Sequence, residues 1–75
     1  MIQAIKRAVD TAALSQQKIA MFHFQVLTNA AALEGVDASA FCQELGVPQT
    51  YKTEFGKMLA LARLMREQGV EIAGR

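Results

Sequence analysis

Phe41-Cys42-Gln43-Glu44-Leu45-Gly46-Val47-Pro48-Gln49-Thr50-Tyr51-Lys52-Thr53-Glu54-Phe55 is the stretch on which the fold turns. It reads as a short helix, a tight corner and the start of a long helix. Leu45 is the last inward residue of the first helix. Gly46 can take the left-handed conformation that closes a helix, which other residues enter only at a steric cost. Val47 drops back into the core. Pro48 cannot continue the first helix, because it lacks an N–H donor, but it suits the first turn of the next.

Upstream, Glu34-Gly35-Val36-Asp37 is a connector. Gly35 suits a helix C-terminus and Asp37 an N-cap. Val36 and Phe41 are spaced as a hydrophobic staple across that cap. The helix from Ala38 to Leu45 turns Phe41, Cys42 and Leu45 inward. Downstream, a helix is expected from about Gln49 to Gln68, ending at Gly69. Its core face is Tyr51, Phe55, Met58, Leu59, Ala62 and Met65, with Leu61 and Leu64 widening the apolar arc. Its other side carries Thr53, Gly56, Lys57, Ala60 and Arg63. A glycine inside a helix costs about 1 kcal/mol relative to alanine, so Gly56 with Ala60 leaves a smooth spot open to close approach.

Residues 16–33 read as one helix with Ile19, Phe22, Val26, Ala30 and Leu33 on its core face and His23 and Leu27 at the margin. Met21, Phe24, Ala31 and Ala32 make its other side apolar as well, and a helix apolar on two sides must be covered on two sides. Residues 2–13 read as a further helix through Ile2, Ile5, Val9 and Ala12, with Ser15 as an N-cap for the next helix. The expectation is a single all-α domain over residues 1–75, of three or four helices, with residues 1–14 as an N-terminal helix or arm and residues 70–75 as a frayed tail.

The 75 residues carry a net charge of only +1, so bulk charge does not announce nucleic acid, but its distribution is uneven. Residues 34–47 hold Glu34, Asp37 and Glu44 and no base. Residues 48–66 hold Lys52, Lys57, Arg63 and Arg66 against Glu54, a local excess of three positive charges. Hydrophobic residues reach 52%, high for so short a chain, which points to apolar surface buried between subunits. Met21, Phe24, Leu61 and Leu64 are the expected dimer contacts. Cys42 is the single cysteine and His23 the single histidine, so neither a disulfide nor a zinc site is expected. His23 reads as a core histidine and Cys42 as a small buried thiol rather than a catalytic pair, which would need an orienting third group. Phosphate loops and paired catalytic carboxylates are missing too, so an enzyme is not expected, nor a cofactor. No apolar run approaches the roughly 18 residues of a membrane span. No secretory signal follows Lys6 and Arg7, so a cytoplasmic protein is expected.

The corner together with Tyr51-Lys52-Thr53-Glu54-Phe55-Gly56-Lys57-Met58 resembles a family of short bacterial helix-turn-helix-like proteins and, more loosely, the DNA-reading corner of small phage and plasmid repressors. The resemblance covers about residues 16–68. It implies a helix-turn-helix whose second helix enters the major groove of double-stranded DNA by its N-terminal end. Gln49, Thr50 and Thr53 match the positions that read base edges. Lys57 matches a further outward position, and Lys52, Lys57 and Arg63, as the cations of this helix, are the expected phosphate contacts, with the Tyr51 hydroxyl as a further candidate. Repressors place a core aliphatic where this chain has Lys52, so a helix rotated by one residue would shift the contact set. The leading expectation is a sequence-specific, repressor-like transcriptional regulator binding operator DNA as a homodimer. The alternative is a phage- or plasmid-type inhibitor or adaptor that binds a protein, favoured by the acidic supporting helix and the surplus apolar surface.

Overall fold

The computed structural model describes residues 1–14 and 16–70. Five helices follow one another: α1 (Ile2–Ala13), α2 (Lys18–Thr28), α3 (Ala30–Leu33), α4 (Ala38–Leu45) and α5 (Tyr51–Glu67). There is no strand among the described residues. The expected Ser15 cap and residues 71–75 of the expected frayed tail lie outside the described residues.

Helix α1 buries Ile5, Val9 and Ala12, the expected stripe, against α2 and α4. Helix α5 lies across α2, α3 and α4 and does not touch α1. The centre is aromatic. Phe22 of α2 sits 6.0 Å from Phe41 of α4, and Phe41 sits 4.9 Å from Phe55 of α5, ring centroid to centroid. Tyr51 stands edge-on to Phe22 at 5.0 Å. Fully burying a phenylalanine contributes about 1.5–3 kcal/mol. Phe22 and Phe41, both fully buried, therefore lock three helices to one another.

The expected helix over residues 16–33 is two pieces. It begins at Lys18 and breaks at Asn29, whose backbone leaves helical values at φ −108° and ψ 16°. Two short polar side chains compete for the local carbonyls. Thr28 Oγ1 donates to the Phe24 carbonyl at 2.9 Å, and Asn29 Nδ2 donates to the Gln25 carbonyl at 2.8 Å. Such back-bonding bends helices. Phe22, Val26, Ala30 and Leu33 are buried as expected, but Ile19 is 42% exposed. It sits in the first turn of α2, outside the Phe22-centred cluster.

The connector is a type II turn. Glu34 has φ −59° and ψ 129°, Gly35 has φ 83°, and the Val36 N–H donates to the Leu33 carbonyl at 3.1 Å. A positive φ at the third residue of this turn explains the glycine. Asp37 then caps α4, its carboxylate accepting from the Ala40 N–H at 2.9 Å. Val36 packs on the core cluster that contains buried Phe41.

Candidate nucleic-acid interface

The α4–α5 corner has the hydrogen bonds of a Schellman motif. Gly46 is left-handed at φ 72° and ψ 27°. Its N–H donates to the Gln43 carbonyl at 3.1 Å, and the Val47 N–H donates to the Cys42 carbonyl at 3.1 Å. Two orphan carbonyls of α4 are thereby satisfied. Val47 is buried, which pins the corner to the core. The chain then takes one tight turn. The Tyr51 N–H donates to the Pro48 carbonyl and the Lys52 N–H to the Gln49 carbonyl, both at 3.0 Å. Regular α-helix therefore starts at Tyr51, two residues after the expected start, with Gln49 and Thr50 in the lead-in turn.

Past the corner, α5 shows an exposed face made of Lys52, Thr53, Gly56, Lys57 and Ala60. Phe55, Leu59 and Ala62 are buried on the other side, with Tyr51, Met58 and Met65 half-buried. Lys52 is thus outside the core, and the helix has the rotation that its apolar spacing demands rather than the one-residue shift. A side chain added at Gly56 would meet nothing within 4 Å, so the fold itself does not require glycine there.

Not every candidate is free. The Gln49 side chain folds back onto the start of α4. Its Oε1 accepts from Ser39 Oγ at 2.8 Å and its Nε2 donates to the Ser39 carbonyl at 3.3 Å. Arg63 is held by Glu34 through two parallel bonds of 2.9 Å, Nε to Oε1 and Nη2 to Oε2. That fork-to-fork pair ties the end of α3 to α5 and holds the Glu34 carboxyl below its ordinary range. Tyr51 spends its ring on the core. Thr50, Lys52 and Thr53 are exposed and engaged in no side-chain bond among the described residues. Lys57 has one partner, Glu54 at 3.6 Å.

Like the Arg63–Glu34 pair, a second contact between helices had no signal in the sequence. His23 Nε2 lies 2.7 Å from Glu54 Oε1, joining α2 to the first turn of α5. The hydrogen bond to His23 is the largest influence lowering the Glu54 carboxyl, with Lys57 adding to it. The histidine is therefore half-buried and polar-partnered at the helix interface rather than enclosed in the core. Thirty-one positions separate the two residues, beyond the reach of any periodicity. Burial raises the Cys42 thiol, against a smaller opposing effect from Lys52. A thiol so raised is a poor nucleophile, in keeping with its reading as a core filler.

Of the four expected dimer residues, Met21 differs from the other three in its burial. Met21 is half-buried against the core and lines a groove between α1 and α2 with Arg7, Ala8, Thr11, Ala12 and Gln17. Phe24 is 50% exposed on α2, and Leu61 and Leu64 are exposed on α5, which α1 does not reach. Among the described residues no helix is long and apolar enough to cross a membrane.

The chain belongs to a family of HTH-like domains, whose match spans residues 1–68. The match takes in α1 as well as the corner. No curated protein and no solved structure matches the chain. At this level the family points to a nucleic-acid-binding regulator and goes no further.

Proposed function

We propose that the protein is a small sequence-specific DNA-binding transcriptional regulator, repressor-like, acting as a homodimer on double-stranded operator DNA. The observation that carries this is the exposed, locally basic start of α5, presented straight after a corner locked by Gly46 and Val47. In this reading the N-terminal end of α5 enters the major groove. Thr50 and Thr53 read base edges, with Gln49 joining them once it leaves Ser39. Lys52 and Lys57 contact phosphates. Arg63, already committed to Glu34, serves the fold first and the phosphate backbone least. No chemistry is needed, because a repressor acts by occupying its site.

The adaptor reading is favoured by one specific observation: Glu44 is exposed on α4, where a supporting helix would meet phosphates. A salt series of binding to random and candidate operator DNA separates the two. A regulator binds random DNA weakly and loses that binding as salt rises; an adaptor binds neither at any salt. Lys57→Ala should weaken both DNAs together and reduce the salt slope by about one per site, about two for a dimer. Thr53→Ala should cost about 1–3 kcal/mol on the operator and little on random DNA. Folded variants that show neither effect would overturn the groove assignment.

A further inference from the structure

Lys57, Ala60, Leu61, Leu64, Glu67 and Gln68 recur at three- and four-residue spacing and form a stripe along one side of α5. All six are exposed, and Leu61 and Leu64 are its apolar centre. The helices that cover α5 meet it elsewhere. Glu54 takes His23, Arg63 takes Glu34, and Phe55, Leu59 and Ala62 enter the core. The stripe ends in opposite charges: Lys57 toward the corner and Glu67 at the far end. Glu67 has no ion pair among the described residues.

Such a pattern is complementary to itself in one direction only. A parallel copy would set Lys57 against Lys57 and Glu67 against Glu67. An antiparallel copy sets each Lys57 beside the partner's carboxylate and Leu61 against Leu64. We infer that α5 pairs antiparallel with α5 of a second copy, about a two-fold axis between Leu61 and Leu64, closed at both ends by Lys57–Glu67 ion pairs. The interface is isologous, as a two-fold requires. Ala60 lets the two backbones draw close beside the leucines. Opposed helix dipoles add a small favourable term.

This arrangement deepens the proposed DNA reading and rests on it for one consequence. Each Tyr51 stands about 17 Å from the axis at about 1.5 Å per residue. The two reading ends are then about 34 Å apart, which matches half-sites one turn of DNA apart, at about 34–36 Å. A lysine ammonium has three donors, so Lys57 can hold the partner's carboxylate and a phosphate oxygen together.

The test is a pair of charge reversals, Lys57→Glu and Glu67→Lys, studied by sedimentation without DNA at micromolar concentration. Each variant alone sets like charges at both ends of its own dimer, so its self-association should weaken on the order of tenfold or more. An equimolar mixture restores opposite charges at both ends and should give mixed dimers about as stable as the wild type. Variants that dimerise alone as well as the wild type overturn the pairing, and so does a wild type that stays monomeric. Should Lys57→Glu unfold the chain through Glu54, cysteines decide. Mixed Leu61→Cys and Leu64→Cys proteins should cross-link to each other in preference to themselves, whereas a parallel pair would give only self-links. Cys42, fully buried, does not compete. Correct mixed pairing without salt-dependent DNA binding would leave the dimer standing and remove the DNA reading. DNA binding by a strict monomer would do the reverse.

Discussion

The α4–α5 corner and the α1–α2 junction close their helices with the same hydrogen bonds, but only one of them has the residue that the motif prefers. At the corner, Gly46 takes the left-handed position and Val47 bonds back to Cys42. At the junction, Gln16 takes it at φ 60°, with its N–H on the Ala13 carbonyl at 3.3 Å and the Gln17 N–H on the Ala12 carbonyl at 2.9 Å. Gln16 is the one non-glycine residue with positive φ among the described residues. A side chain in that conformation costs roughly 1–2 kcal/mol. The corner that presents α5 is therefore relaxed, while the joint that attaches α1 carries strain. Leu14 beside that joint is 89% exposed, whereas Val47 at the corner is buried. The chain invests its best local chemistry where a helix must be aimed.

Breaking the corner should have the largest effect. Gly46→Val forces a β-branched residue into a left-handed position, at about 1–2 kcal/mol or somewhat more. An added Cβ there meets nothing within 4 Å, so the cost at the Cβ is conformational rather than steric. The urea midpoint should fall with an unchanged slope. An unmoved midpoint would show that the left-handed conformation is not held in solution. The reverse experiment is Gln16→Gly at the junction. Relief of the left-handed side chain, less the greater backbone entropy of glycine, should raise stability by about 0.5–1 kcal/mol. A loss of stability instead would mean that the Gln16 side chain is needed there and that the two joints are not equivalent.

The same contrast explains what the sequence revealed. Asp37 and Gly46 announce themselves because each answers a local backbone demand, an N-cap and a positive φ; Pro48 marks the end of α4 but lies in the lead-in turn, ahead of the first turn of α5. Phe41, Cys42, Leu45, Phe55 and Leu59 were legible from helical spacing. The Thr28-Asn29 break was written in the chain, but outweighed by the apolar residues on either side. Gln16 was not legible, because nothing in its type favours φ 60°. The pairs between helices, His23–Glu54 and Arg63–Glu34, were invisible for a different reason. They depend on how α2 and α3 lie on α5, which no local pattern encodes. Of the proposed DNA contacts, the positions were readable but their engagement was not: Gln49 and Arg63 look outward in sequence and are tied down in the fold.

Those two interhelical pairs give the third expectation, a loss of stability in acid. Glu34 and Glu54 both have carboxyls held below the ordinary value of 4.5, through hydrogen bonds from Arg63 and His23 first of all. A depressed folded-state value means that the unfolded chain binds protons more readily. Their contribution is fully present above about pH 4.5 and is lost as the pH falls through the folded-state values. The melting temperature should therefore decline below about pH 4.5, and Glu34→Gln should flatten part of that decline. Both carboxylates lie at the surface, so added salt should shrink the effect. A decline identical in Glu34→Gln and wild type would mean that the Arg63 fork does not survive in solution, and Arg63 would return to the set of free cations on α5.

The smallest expected effect on stability bears most on function. Lys52 is the position where repressors keep a core aliphatic, and here it is exposed one residue beyond Tyr51. Exposed positions away from caps and networks usually change stability by no more than about 0.5 kcal/mol, so Lys52→Ala should melt like the wild type. With the fold intact, its effect on DNA can be read cleanly. Loss of a phosphate contact should weaken binding to every sequence alike and lower the salt slope by about one per site, about two for a dimer. A larger loss on the operator than on random DNA would instead place Lys52 at a base edge, deeper in the groove than Lys57. A marked loss of stability would mean that Lys52 packs inward and α5 is turned by a residue. Thr53 and Lys57 would then leave the reading face together, and the corner would aim a different set of side chains at its target.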